Sequence, residues 1–187
     1  MVDKFMVFDV ESIGLHGEGF AVAWVVVDRE GDRLAEGCMA CDPGVCFGRE
    51  EGHRWVAANV PKMDYAYRKP SEVRRAFWAE WRRWADQGAV LVADCAWPVE
   101  ARFMAAAVDD DLERREWQGP YPLHDLASVL LALGADALAV TERLPDELPV
   151  HHPLMDARQS ARQLVACLKA PNVFLTGALP TRPEPMR

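Results

Sequence analysis

Two strongly apolar runs near the N-terminus constrain the fold more than any other feature of this chain. Phe5–Val10 is short and rich in Val and Phe, as a buried strand requires. Phe20–Asp28 (FAVAWVVVD) has the same character over a longer stretch. Glu30-Gly31-Asp32 is a turn signal, and Arg33–Ala40 returns as a third strand. Three successive strands joined by short connections predict an antiparallel meander, and a second layer must cover its apolar face.

The rest of the chain supplies that layer. Residues 41–70 carry Gly, Pro and scattered aromatics with no clear period, and read as an irregular insertion holding short helical turns. Ser71 is placed to N-cap a helix in which Phe77, Trp81 and Trp84 recur at helical spacing, with Gly88 as its stop. Ala89–Ala93 is continuously apolar, as expected of a strand in the middle of a sheet. Pro98 to about Val108, Leu126–Leu133 and Leu154–Leu168 read as helices, with Gly134 ending the second. His124-Asp125 is a short strand or turn, and Asp125 reads as the N-cap of the helix that follows. The expected fold is therefore α/β: a mixed central sheet, made of a three-strand antiparallel meander plus parallel strands, flanked by helices. The first strand and Ala89–Ala93 should pair at its centre. One domain is expected over 1–170, with the insertion at 41–70, followed by a loose Pro-rich tail at 171–187.

Charge limits the partners. The 187 residues hold 21 Lys and Arg against 29 Asp and Glu, a net charge of -8, which argues against tight non-specific nucleic-acid binding by a broad basic face. It does not argue against a site for divalent cations, which is itself a cluster of carboxylates. An odd set of five cysteines with no leader pattern suggests reduced thiols in a cytoplasm. The longest apolar run, Phe20–Val27, is far short of the roughly 20 residues that span a bilayer, so no membrane partner is expected.

Acidic residues recur where an α/β sheet presents chemistry. Asp9 and Glu11 alternate with Val10, so both carboxylates share one face of the first strand. An apolar strand that ends so needs water, a metal or another cation to meet them. Asp94 follows the strand at Ala89–Ala93, and Glu100 lies in the first turn of the next helix. In PVHHPLMDARQSARQL, His151 precedes the last helix and Asp156 lies one turn inside it. Taken singly, each acid has an ordinary explanation as a helix-dipole partner, a turn cap or a solvated strand end. Taken together, they can hold two divalent ions roughly 4 Å apart and activate a water, with a nearby histidine taking its proton.

These residues resemble the motifs of the DEDDh group of 3′-5′ exonucleases, which have an RNase H-like fold. Asp9-Val10-Glu11-Ser12-Ile13-Gly14-Leu15 is similar to the group's first motif, keeping both acids, a hydroxyl, the glycine and the leucine. His151 with Asp156-Ala157 is similar to the third; His151, not His152, has the spacing. The second motif departs, since Glu100 stands nearest to an aspartate, with Phe103-Met104 after it, and Asp94 is the alternative. Arg54-Trp55-Val56-x-x-Asn59-Val60-Pro61-Lys62 and His151–Arg158 further resemble the RNase AS-type exoribonucleases. The resemblance implies removal of nucleotides from single-stranded RNA or DNA 3′ ends, RNA favoured, with two Mg²⁺ or Mn²⁺ ions. It assigns Asp9, Glu11, Glu100 and Asp156 to the metals and His151 to the general base. Ser12, Ile13, Gly14 and Leu15 would lie along the terminal nucleotide, and Leu15 and Trp97 are the candidates to stack on its base. The alternative is an RNase H-like binding or interaction module whose chemistry has decayed, Glu100 being its first sign.

Three other features have competing readings. Cys38-x-x-Cys41, Cys46 and His53 offer a zinc set, although the spacings fit no known finger. Trp78, Trp81 and Trp84 on one helix exceed what a small sheet is expected to cover, so they predict either a homodimer interface or a large core. Arg74, Arg75, Arg82 and Arg83 on that helix could face a phosphate backbone or simply solvent.

Overall fold

A computed structural model describes residues 2–139 and 141–169; the expected tail at 171–187 lies outside the described residues. The sheet contains β1 (Lys4–Ser12), β2 (Gly19–Asp28), β3 (Arg33–Ala40), β4 (Ala89–Ala93) and β5 (His124–Asp125), in the order β3-β2-β1-β4-β5. The meander β1-β2-β3 is antiparallel, while β4 runs parallel to both β1 and β5. This is the mixed sheet expected from the sequence, with β1 and β4 side by side at its centre.

Strand alternation sorts β1 between two layers. Met6, Phe8 and Val10 enter a core shared with α2 (Pro70–Ala85) and α3 (Ala101–Asp109). Phe5 and Val7 enter a second core against α5 (Leu126–Ala132) and α6 (Pro153–Lys169). Phe77 is the hub of the first core, its ring centroid lying 5.3 Å from Phe8, 6.2 Å from Trp24 and 5.6 Å from Phe103. Trp78, Trp81 and Trp84 are all buried, so the apolar excess of α2 is a large core and offers no exposed dimer face. Three of its four arginines are engaged within the chain as well, while Arg75 is exposed. Arg74 is buried against Asp110 and Glu18, Arg82 reaches Asp86 and the Gln118 carbonyl, and Arg83 reaches Glu80.

Four local expectations change. The insertion holds a full helix, α1 (Glu50–Asn59), and not merely short turns. Only Val56 on it is buried, so it lacks the apolar period that would have announced it. Ser71 is not the cap of α2: Pro70 occupies the first turn, where its fixed φ suits helix entry, and Lys69 is the cap residue. The helix after β4 begins at Ala101, preceded by an irregular turn over Ala96–Glu100 in which Trp97 is extended. A short α4 (Leu112–Arg115) was not foreseen. Asp125, by contrast, does cap α5, accepting from the Ala127 N–H at 3.1 Å. Among the described residues no helix is long and apolar enough to cross a membrane.

Candidate active site

The site begins where the α6-facing row of β1 outruns its core. Phe5 and Val7 are buried, and the next members of that row are Asp9 and Glu11. The β1–β2 register slips between Glu11 and Ser12, and the chain then turns. Gly14 holds φ 66 there, and the Ser12 hydroxyl donates to its carbonyl at 2.8 Å. Helix α6 packs closely on this face because Ala157 and Ala161 are small and buried. Its first turn thereby carries Asp156 to the strand end. His151 sits just before it with φ 59, a left-handed conformation that re-aims the chain into the helix. Ligand atoms of Glu11, His151 and Asp156 all lie within 4.8 Å of one another.

A cleft of about 570 Å³ opens here, lined by Asp9, Glu11, Asp94, Arg143, His151, Asp156 and Ser160 among others. Asp94 continues the α6-facing row of β4 beyond Val92, and accepts from the Ser160 hydroxyl at 3.0 Å. Glu100 approaches from the other side. It is 5% exposed and accepts from the Val10 N–H at 3.3 Å, which fixes its carboxyl beside β1. It does not line the cleft itself.

The electrostatics join these acids into one system. Burial raises the Asp9 carboxyl well above the usual carboxylate range, and the negative charges of Glu11, Glu100, Asp156 and Asp94 raise it further. Burial and the charge of Asp156 push Glu11 up to about 8. Burial pushes Glu100 up to about 8 as well, against the opposing effect of the Val10 hydrogen bond. Asp94 and Asp156 are raised by burial, the first opposed by Ser160 and the second by Arg143. Five carboxyls whose charges bear on one another in this way call for added positive charge.

Arg143 supplies part of it. Its Nη1 donates to Asp156 Oδ1 at 2.5 Å and to the Glu147 carbonyl at 3.0 Å. The sequence reading missed this residue, which lies in an aperiodic loop between α5 and α6 with no spacing to mark it.

The other expected residues are spread around this centre. Ile13, Gly14 and Leu15 line an adjoining cleft of about 600 Å³ with Phe47, Gly48 and Gly52; Leu15 is 65% exposed. Trp97 is 70% exposed on the irregular turn after β4 and lines neither cleft. The zinc set does not assemble. Cys38 and Cys41 are three apart in extended chain and so face opposite ways. Cys38 is exposed, whereas Cys41 and Cys46 are buried with their sulfurs 3.8 Å apart. Among the described residues, the group with metal-ligand geometry contains no cysteine.

No family model and no curated protein matches the chain. Solved structures do. Exonuclease I in its apo form matches 90% of this chain and 42% of its own, with a TM-score of 0.52 and 14% identity. Exonuclease I in a crystal structure of SSB/Exonuclease I in complex with the inhibitor CFAM matches 89% of this chain and 41% of its own, with a TM-score of 0.52 and 13% identity. The chain thus spans less than half the length of these neighbours, with which it shares the RNase H-like fold.

Proposed function

We propose that this chain is a divalent-metal-dependent 3′-5′ exonuclease that removes nucleotides from single-stranded ends, RNA favoured over DNA. One observation carries the reading. Asp9, Glu11, Glu100, Asp156 and His151 come from three separated segments, and the fold brings them to a single strand end. The fold shared with exonuclease I supports the same reaction class. RNA is favoured because the segments that resemble the RNase AS-type enzymes, 54–62, which begins in α1, and 151–158, which holds His151 and Asp156, meet where the Trp55 and His151 rings touch.

The donor set fits Mg²⁺ or Mn²⁺. It is dominated by carboxylate oxygens, and its charge is underneutralised by Arg143 alone. Asp9, Glu11 and Asp156 would hold the ions, with Glu100 reaching them through water. Asp94 is the alternative for that last role. Bound ions supply the positive charge that activates water and stabilises the phosphorus centre during displacement.

The chain's own residues do the rest. His151, whose ring lies next to Glu11 and Asp156, takes the proton from the attacking water. Ser12, Ile13, Gly14 and Leu15 lie along the terminal nucleotide, with exposed Leu15 against its base. Trp97, exposed on the turn after β4, is the second stacking candidate.

Calorimetric titration with Mn²⁺ tests the metal half of this reading. Native protein should bind two ions, and Asp9→Asn should bind fewer and more weakly. A titration without heat, from folded protein, would favour the decayed binding module.

A further inference from the structure

The insertion between β3 and α2 reaches the candidate catalytic centre through α1. Helix α1 is seated on the Ile13–Gly17 turn because Gly48 and Gly52 have no side chain. A Cβ at Gly52 would lie 2.9 Å from the Ile13 carbonyl carbon, and one at Gly48 would run into the Ile13 side chain. From that seat α1 extends across the front of the site and presents Trp55. The Trp55 ring meets the His151 ring edge to face, with centroids 5.0 Å apart and planes at 77°.

This contact bears on a ring that is otherwise lightly held. His151 makes no side-chain hydrogen bond among the described residues. The ring of its neighbour His152, by contrast, accepts from the Leu154 N–H at 3.3 Å. The backbone of His151 occupies a left-handed conformation that sparse contacts do not hold by themselves. On its other side the ring faces Glu11 and Asp156. An edge-to-face aromatic pair is worth about 0.5–1.5 kcal/mol beyond its buried area, enough to select one ring orientation among several. Trp55 is 44% exposed, so the fold keeps a large aromatic at the cleft rim although little of it is needed for the core.

We infer that Trp55 is a positioning residue: it sets the orientation in which His151 takes the proton from water. The inference rests on the exonuclease reading above. Misplacing a general base by a fraction of its bond length slows the reaction without changing how substrate binds, so the effect belongs in kcat. The same geometry explains why an aperiodic insertion would carry a tryptophan at this position.

The test combines kinetics with a readout that needs no turnover. Trp55→Ala, Trp55→Phe, His151→Ala and the Trp55→Ala/His151→Ala pair are assayed on single-stranded oligomers with Mn²⁺. Trp55→Ala should lose between about tenfold and a hundredfold in kcat with KM held within about twofold. Trp55→Phe should recover most of the loss, and Trp55→Ala should cost nothing further in the His151→Ala background. In parallel, NMR of the imidazole protons should show a ring-current displacement of His151 in the native protein that Trp55→Ala removes. An unchanged kcat, a loss that appears in KM, or an additive loss in the double variant would overturn the positioning role while leaving the exonuclease reading intact. Absence of the ring-current displacement would overturn the contact itself. Native protein without turnover would defeat the exonuclease reading and this role with it.

Discussion

Asp9 sits at the end of an apolar strand with the charges of four other carboxyls acting on it. That crowding has a measurable consequence. Glu11 and Glu100 are pushed from the ordinary 4.5 up to about 8, so the folded protein holds more protons than the unfolded chain between those values. Stability must then fall as pH rises through that window. In EDTA, Tm should drop between pH 5 and pH 8, and Mg²⁺ or Mn²⁺ should restore it at the alkaline end. A Tm that climbs or stays level over that range would contradict the charge assignment. The two acids of the second motif can be separated in the same assay system. Glu100 is bonded to β1, whereas Asp94 is bonded to Ser160 on α6. Glu100→Gln should cost about a hundredfold in kcat and Asp94→Asn about tenfold or less, by analogy with the supporting shell of metal sites. The reverse order would give Asp94 the role assigned to Glu100.

At the scale of elements, legibility followed apolar periodicity. β1, β2 and β4 were readable because each is an apolar run, β3 because a turn signal sends the chain back after β2, and α6 because one face is apolar. Asp9, Glu11, His151 and Asp156 were readable because motif spacing ties them to the ends of those elements. Helix α1 was not: it buries a single side chain and is seated by glycines, which leave no pattern. Arg143 was hidden for a related reason, since loop residues meet the site through tertiary placement alone. The glycine seat gives a prediction of its own. Gly52→Val places carbon atoms against the Ile13 carbonyl, so α1 must lift away from the Ile13–Gly17 turn. Activity should fall at least about tenfold, with a stability cost of only about 1–3 kcal/mol, the range for local overpacking. Retention of full activity would mean that α1 does not wall the site.

The described residues form a sheet between two helical layers, and the proposed chemistry gathers at the end of its central strand, mainly on the α6 side. The opposite layer is scaffold, built around Phe77 and the buried tryptophans of α2. Phe77→Ala should cost about 3–5 kcal/mol in denaturant unfolding while leaving Mn²⁺ affinity of the surviving folded protein unchanged. A change in affinity would couple the two layers more tightly than their separate cores suggest. The most direct measurement follows 5′-labelled single-stranded RNA and DNA oligomers in Mn²⁺, with EDTA and with the Asp9→Ala and His151→Ala variants as controls. A ladder should shorten from the 3′ end, faster on RNA, disappear with EDTA and in Asp9→Ala, and form only at a strongly reduced but measurable rate in His151→Ala. Intact oligomers after incubation with folded, metal-loaded native protein would contradict the exonuclease reading.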